Sequence, residues 1–309
     1  MKNRIIIGTR GSKLALYQAE KVKRTLEEAH KDLQVEIEII HTKGDKILDV
    51  ALSKIGDKGL FTKEIETALL KKEVDIAVHS CKDLPTVLPD GLMLGAVLER
   101  GEFRDALVCK SGKRIEELNR DDVIATSSLR RQAALLNINP KLQLKDIRGN
   151  VQTRLQRMED GYCDAMIMAA AGLQRLELDH YITQILDPEE VMPAVAQGAI
   201  AIEIRENDSD VMDILKPINH QHTWTSIFAE RAFLRTLEGG CQVPLGCYSQ
   251  LEGDRIVLHG FVASVDGTKY LNDIAEGSIE DPESCGKTLA KKLIDKGATE
   301  ILEKIKRNS

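Results

Sequence analysis

An α/β fold of two similar lobes, followed by a small α+β domain, is what this 309-residue sequence predicts. Three observations predict it. Short apolar runs alternate with amphipathic segments through most of the chain, the pattern of sheets with helical cover. Two stretches, IIIGTRGSKLA at Ile5 and VIATSSLRRQA at Val123, echo one another: a strand, Gly or Ala with Thr, a small polar turn, then a helix start with a basic residue. After Pro217 the order changes to one helix, three strand-like runs and a further helix.

Arg4 to Ile7 reads as the first strand, turning through Gly8-Thr9-Arg10-Gly11. Ser12 is placed to cap a helix whose apolar stripe is Ala15, Ala19, Val22 and Leu26. Val35 to Ile39 alternates with the period of a half-exposed strand. Phe61, Ile65 and Leu69 mark the next helix, and Ile76 to His79 the next strand. A second unit begins near Arg104, with strands expected at Ala106 to Cys109, Val123 to Thr126, Leu142 to Ile147 and Ala165 to Ala169, and helices starting near Ser128 and Asn150. Val195 to Ile204 reads as a strand returning to the first unit. A helix from about Thr223 to Glu238 stops at Gly239-Gly240. Strands follow at Cys247 to Leu251, Arg255 to Ser264 and Tyr270 to Glu276, then a long helix from about Pro282.

Composition narrows the class. Forty-three basic against 49 acidic side chains give a net charge of −6, which argues against a general nucleic-acid binder. The longest nearly unbroken apolar stretch, Ala165 to Leu173, is far short of the ~20 residues of a membrane span. The start, MKNRIIIGTRG, does not read as a signal peptide, and six scattered cysteines read as reduced thiols, so a cytoplasmic setting is expected.

The chemistry is expected at the strand-to-helix turns. A helix N-terminus presents unpaired N–H groups and partial positive charge, and the two echoing turns suggest two lobes facing one anionic ligand. Basic residues cluster near these turns and strand ends: Arg10, Lys54, Lys58, Lys82, Arg130, Arg131, Arg148, Arg154 and Arg175. The guanidinium fork suits carboxylates, although any one of these residues alone reads as a solvated surface charge. Asp83 follows a strand in His79-Ser80-Cys81-Lys82-Asp83-Leu84-Pro85. It reads either as half of a surface ion pair or as a carboxylate that stabilises a developing cation. Cys241, in Gly239-Gly240-Cys241-Gln242-Val243-Pro244, is either a small buried hydrophobe or a point of covalent attachment. Cys247 six residues on gives no zinc spacing, and no metal is expected. His41, His79, His220 and His222 carry no signal singly. Phosphate-binding loops and a nucleophile elbow are absent from the sequence.

Taken together, IGTRGSKLAL, KGLFTKEIE, DIAVHSCKDLP, ATSSLRRQAAL, IRGNVQTRL, AAAGLQRL, PAVAQGAIAIE and AERAFLRTLEGGCQVPLG resemble the porphobilinogen deaminase (hydroxymethylbilane synthase) family. The resemblance implies two lobes built like periplasmic binding proteins and a small third domain. Domain 1 is then discontinuous, residues 1–99 and 198–218, domain 2 is 100–197, and domain 3 is 219–309 and carries the cysteine loop. The implied activity joins four porphobilinogens head to tail, with loss of ammonia, into hydroxymethylbilane on a covalent dipyrromethane cofactor. The resemblance assigns the cofactor thioether to Cys241 and catalysis to Asp83. It assigns further cofactor contacts to Lys82, Asp83, Thr126, Ser128, Arg130, Arg131, Arg148 and Gln197, and substrate contacts to Arg10, Ser12, Phe61, Arg148, Arg154 and Arg175. The sequence departs from the family at Cys81, where methionine is usual. A cytoplasmic monomer acting on a small molecule is implied, with no nucleic-acid or membrane partner. A two-lobed anion sensor would explain the turns and arginines but gives Asp83 and Cys241 no joint role. A thiol hydrolase lacks a recognisable histidine partner.

Overall fold

The computed structural model describes residues 2–46, 59, 61–237 and 243–308. The chain divides into two compact units. Met1–Leu48, Asp57–Gly101 and Gly198–Trp224 form the first, and Glu102–Gln197 and Thr225–Ser309 belong to the second.

The first unit opens with β1 (Arg4–Thr9), whose Ile5 and Ile7 are fully buried. α1 (Lys13–Ala29) starts where Ser12 accepts a hydrogen bond from the Ala15 N–H at 3.3 Å, satisfying one of the helix's orphan donors. Its buried face contains the whole expected stripe, Ala15, Ala19, Val22 and Leu26, with Gln18 added. β2 (Gln34–Ile39) runs parallel to β1. α2 (Lys63–Leu70), β3 (Ile76–Ser80) and β4 (Leu92–Val97) complete the first passage. On one side of the sheet Ile5, Ile7, Ile76, Val78, Ile202 and Ile204 pack with Ala19, Val22 and Leu26 of α1. Ile65, Ala68 and Leu69 of α2 form a second cluster with Val74, Ala77 and Leu92.

The second unit carries β5 (Asp105–Cys109), β6 (Val123–Ala125), α3 (Leu129–Ile138), β7 (Gln143–Lys145), α4 (Val151–Glu159), β8 (Ala165–Ala169), α5 (Ala170–Gln174) and β9 (Gln184–Ile185). The strand expected over Leu142 to Ile147 is only three residues long. It is an edge strand, and the chain then turns through Gly149, which lies in the left-handed region at φ 115°.

The chain returns to the first unit in β10 (Ile200–Arg205), followed by α6 (Ser209–Leu215). This strand begins five residues later than Val195. Ala196 (φ 59°) and Gly198 (φ 87°) take left-handed conformations, and the Gln197 N–H closes a turn onto Ala194 O at 3.0 Å. The sheet orders are β2-β1-β3-β10-β4 and β7-β6-β8-β5-β9. In each, three strands run parallel and the fourth is antiparallel to both its neighbours. β10 and β5, which enter from the other unit along the chain, occupy that same fourth place.

α7 (Gln221–Thr236) leads to an antiparallel meander of β11 (Leu245–Glu252), β12 (Arg255–Ala263) and β13 (Tyr270–Ser278). The expected long final helix is two helices, α8 (Pro282–Asp295), capped by Asp281, and α9 (Ala298–Asn308). Gly297, at φ 101°, separates them. Within the second unit the meander packs its Tyr248, Phe261 and Ala263 against Ala133 and Met192. The fold is therefore α/β in two five-stranded parts, with a small C-terminal α+β part.

Candidate active site

The sheet of the first unit places several of the expected residues around one cavity of about 70 Å³, lined by Arg10, Ser12, Phe61, His79, Ser80 and Asp83 among others. Arg10 leaves the end of β1 and lays its guanidinium 4.3 Å from the Phe61 ring centroid, a cation–π contact that fixes both side chains. Ser12 is held by its capping bond. Ser80 receives a hydrogen bond from Gln18 Nε2 at 2.8 Å. A short 3₁₀ turn, Cys81–Asp83, follows β3 and presents the Asp83 side chain, which is exposed, beside half-buried Lys82. Cys81 is 1% exposed, so this departure from the family is a packing residue rather than a second accessible thiol.

In the second unit the corresponding turn lies between β6 and α3. Thr126 Oγ1 accepts from the Ser128 N–H at 3.2 Å, and Ser127 Oγ both donates to Ile147 O and accepts from its N–H at 2.9 Å. These bonds hold the β6–α3 turn against the segment leading to Arg148. Arg154, on the first turn of α4, donates to Gly149 O at 2.7 Å. Arg148 Nη1 is buried and has no hydrogen-bond partner among the described residues, an expensive state for a guanidinium donor. Arg175 is half-buried just beyond α5.

Arg130 and Arg131 are placed differently from the other arginines. Both are buried, and both converge on Asp105 at the start of β5. Arg130 Nη2 donates at 2.9 Å, and Arg131 does so through Nη2 at 2.7 Å and Nε at 3.0 Å. Arg130 also donates to Met192 O, and Arg131 to Ile167 O at 2.9 Å. Gln197 Nε2 completes the set, donating to Asp105 Oδ1 at 2.8 Å and to Phe103 O at 2.9 Å. Burial alone would raise the Asp105 carboxyl. The two guanidiniums and the hydrogen bonds more than reverse that and hold it well below the usual carboxylate range. The cluster keeps one net positive charge beneath the turn.

The sequence and its relatives say which chemistry these groups serve. Residues 5–213 match the family model described as porphobilinogen deaminase, dipyromethane cofactor binding domain, and residues 224–295 match the porphobilinogen deaminase C-terminal domain. The chain is 50% identical to the porphobilinogen deaminase of Carboxydothermus hydrogenoformans over 309 residues, covering 100% of this chain and 99% of that one. It is 46% identical to the porphobilinogen deaminase of Desulforamulus reducens over 306 residues, covering 99% of each. The chain belongs to the porphobilinogen deaminase family. Membership makes it a transferase of tetrapyrrole biosynthesis with a dipyrromethane cofactor. A TRAP periplasmic solute binding protein from Desulfovibrio salexigens also aligns, with a TM-score of 0.44 and 11% identity, covering 72% of this chain and 74% of that chain.

Arg10, Ser12, Phe61 and Asp83 line one cavity of the first unit, while Thr126, Ser128, Arg130, Arg131, Arg148, Arg154, Arg175 and Gln197 belong to the second. Cys241, Lys54 and Lys58 lie outside the described residues. Asp105, Glu66 and Glu203 carry no mark in the sequence: each sits in an ordinary apolar or mixed run, and its importance appears only from long-range partners. No described helix is long and apolar enough to cross a membrane.

Proposed function

We propose that this chain joins four porphobilinogen molecules head to tail into hydroxymethylbilane, with Cys241 carrying the dipyrromethane through a thioether. The observation that carries the reading at the level of the site is the orphaned Arg148 Nη1. A buried guanidinium donor without a partner fits a ligand rich in carboxylates, as substituted pyrroles are. When bound, the dipyrromethane supplies the terminal pyrrole carbon on which the chain grows.

The protein's own groups then divide the work. Arg148, Arg154 and Arg175 pair with acetate and propionate side chains, with Thr126 and Ser128 donating from the β6–α3 turn. Arg130, Arg131 and Gln197 belong to the cofactor set as well. Their bonds to Asp105 make them the rigid, positively charged floor of it. Arg10 and Ser12 take substrate carboxylates, and Phe61, held by Arg10, offers its ring to a pyrrole. Lys82 pairs with a cofactor carboxylate. Asp83 accepts pyrrole N–H bonds and stabilises the positive charge that develops as ammonia leaves porphobilinogen. Its place at an exposed turn after β3, in a cavity shared with Arg10, supports this role.

Domains at residues 1–99 with 198–218, 100–197 and 219–309 are part of the same proposal, and the three separate sheets support them. The protein is read as a cytoplasmic monomer whose partner is its small-molecule substrate. The test is the intact mass of freshly purified protein: two pyrrole units above the chain mass, lost in Cys241→Ala. An unmodified chain that stays unmodified when offered porphobilinogen rejects the reading.

A further inference from the structure

Beneath the Asp83 cavity, β3, β10 and α2 bring three titratable side chains together in the core of the first unit. His79 pairs with Ala201, and Glu203 lies two residues along β10 opposite Ala77, so both side chains leave the same face of the sheet. His79 Nε2 and Glu203 Oε2 are 3.1 Å apart, with the side chains 4% and 0% exposed. α2 covers this face and adds Glu66, flanked on its buried side by apolar Ile65, Ala68 and Leu69. Glu66 Oε1 and Glu203 Oε1 are buried with no hydrogen-bond partner among the described residues. Burial pushes the Glu66 carboxyl up, and Glu203 and Glu64 push the same way against Thr62 and His79. Such a line of polar groups costs stability in an apolar core, and His79 reaches the cavity wall, which it shares with Thr62, Ser80 and Asp83.

We propose that His79 is a proton-exchanging group of the Asp83 cavity and that Glu203 is the positioning residue that fixes its ring. The inference rests on the function proposed above. Each coupling forms one carbon–carbon bond between pyrroles and breaks one carbon–nitrogen bond, and ammonia leaves with the electron pair. The ring carbon that has attacked the methylene then releases its proton, and the C–H electron pair returns to the ring. Neutral His79, its Nε2–H donated to Glu203, takes that proton on Nδ1 and passes it to ammonia, which departs as ammonium. The charged groups around the ring are Glu203 on β10, Glu66 on α2, Asp83 after β3 and Arg10 after β1. Arg205, further along β10, is engaged by Leu69 O, Val74 O and Asp208.

Glu203→Gln keeps the shape and removes the charge. In the wild-type protein, ¹⁵N spectra of the imidazole are expected to show the Nε2–H tautomer for neutral His79, and a mixture of tautomers in the variant. An imidazole without its anionic neighbour gives up its proton more readily, so the acid limb of kcat/KM moves about half a pH unit or more to lower pH. Glu203→Asp restores most of both signals. His79→Asn lowers kcat about a hundredfold while the covalent pyrrole mass stays in place, and serves if Glu203→Gln does not fold. An unchanged tautomer with superimposable pH profiles, or an unchanged kcat in His79→Asn, overturns the inference alone. A wild-type protein without the pyrrole mass overturns the underlying reading, and this inference with it.

Discussion

Gln197 Nε2 lies 2.8 Å from Asp105 Oδ1, although 92 residues separate the two in sequence. The bond joins the place where the chain has just entered the second unit to the place where it is about to leave. One residue outside it, in the first unit, the Gly101 N–H donates to Gly198 O at 3.1 Å. The two passages are thus tied side by side, through Gln197 and Gly198 on one and Asp105 and Gly101 on the other, and the buried charge on Asp105 is central to one of the ties.

Asp105→Asn leaves Arg130 and Arg131 buried without their counter-charge. A loss of about 3–5 kcal/mol is expected, read from the urea midpoint. The pH dependence has a definite sign. The folded-state carboxyl lies below its unfolded value, so its contribution is complete above about pH 4 and is lost as pH falls toward the folded value. The gap between wild type and variant should therefore narrow in acid. A gap independent of pH would show that the charge is not what matters.

Asp83→Asn is expected to retain the covalent pyrrole mass and lose about 10²–10³-fold in turnover, since a fixed dipole replaces a full negative charge at the developing cation. The side chain is exposed, so the urea midpoint should barely move. Near-normal turnover would remove Asp83 from the reaction.

Arg148→Gln separates ligand binding from folding. Its orphaned Nη1 makes no protein bond to lose, so stability should change by less than about 1 kcal/mol. Loss of a charge-assisted bond to a carboxylate should weaken cofactor or substrate retention about tenfold or more, measured by cofactor occupancy and KM. A large stability loss with unchanged binding would reverse the assignment.

Thiol counting checks the attachment without any turnover. Of six cysteines, one in thioether linkage leaves 6 − 1 = 5 to be alkylated after denaturation. Before denaturation, Cys163 and Cys285, pushed up to about 11 by burial, should be unreactive at neutral pH. Alkylation of all six in freshly purified protein would contradict the linkage.

Gly286→Ala tests the packing of α8 on α7. A Cβ there would run into Ala229 O and lie 2.8 Å from Phe233 N, both backbone atoms that cannot swing away. Destabilisation of about 3 kcal/mol is expected in thermal or urea unfolding. Little change would mean that the two helices separate easily.

Local patterns were legible in the sequence where one segment carries its own signal. Ser12 with Ala15, Ala19, Val22 and Leu26 defines α1, and Asn150 caps α4 by accepting from the Thr153 N–H at 2.9 Å. What escaped depends on partners distant in the chain. The strand Leu92–Val97 is recognisable only once β10 lies beside it. β10 starts late because Ala196 and Gly198 bend a run that composition alone makes continuous. The shared bonds of Arg130 and Arg131 to Asp105, about 25 residues earlier, leave no sign in the sequence. His79 carries no signal until Glu203, 124 residues away, stands beside it.

The exchange of β5 and β10 between the two sheets also sets the order in which the molecule can be finished on the ribosome. The strands of the second sheet, from Asp105 to Ile185, have all been synthesised before Ile200 emerges. The first sheet must wait, with β3 and β4 unjoined, for a strand made only after the second sheet's last strand. The N-terminal unit is therefore the later of the two sheets to close, and a nascent chain whose Ile185 has left the ribosome while Ile200 is still inside it has every strand of one sheet and a gap in the other.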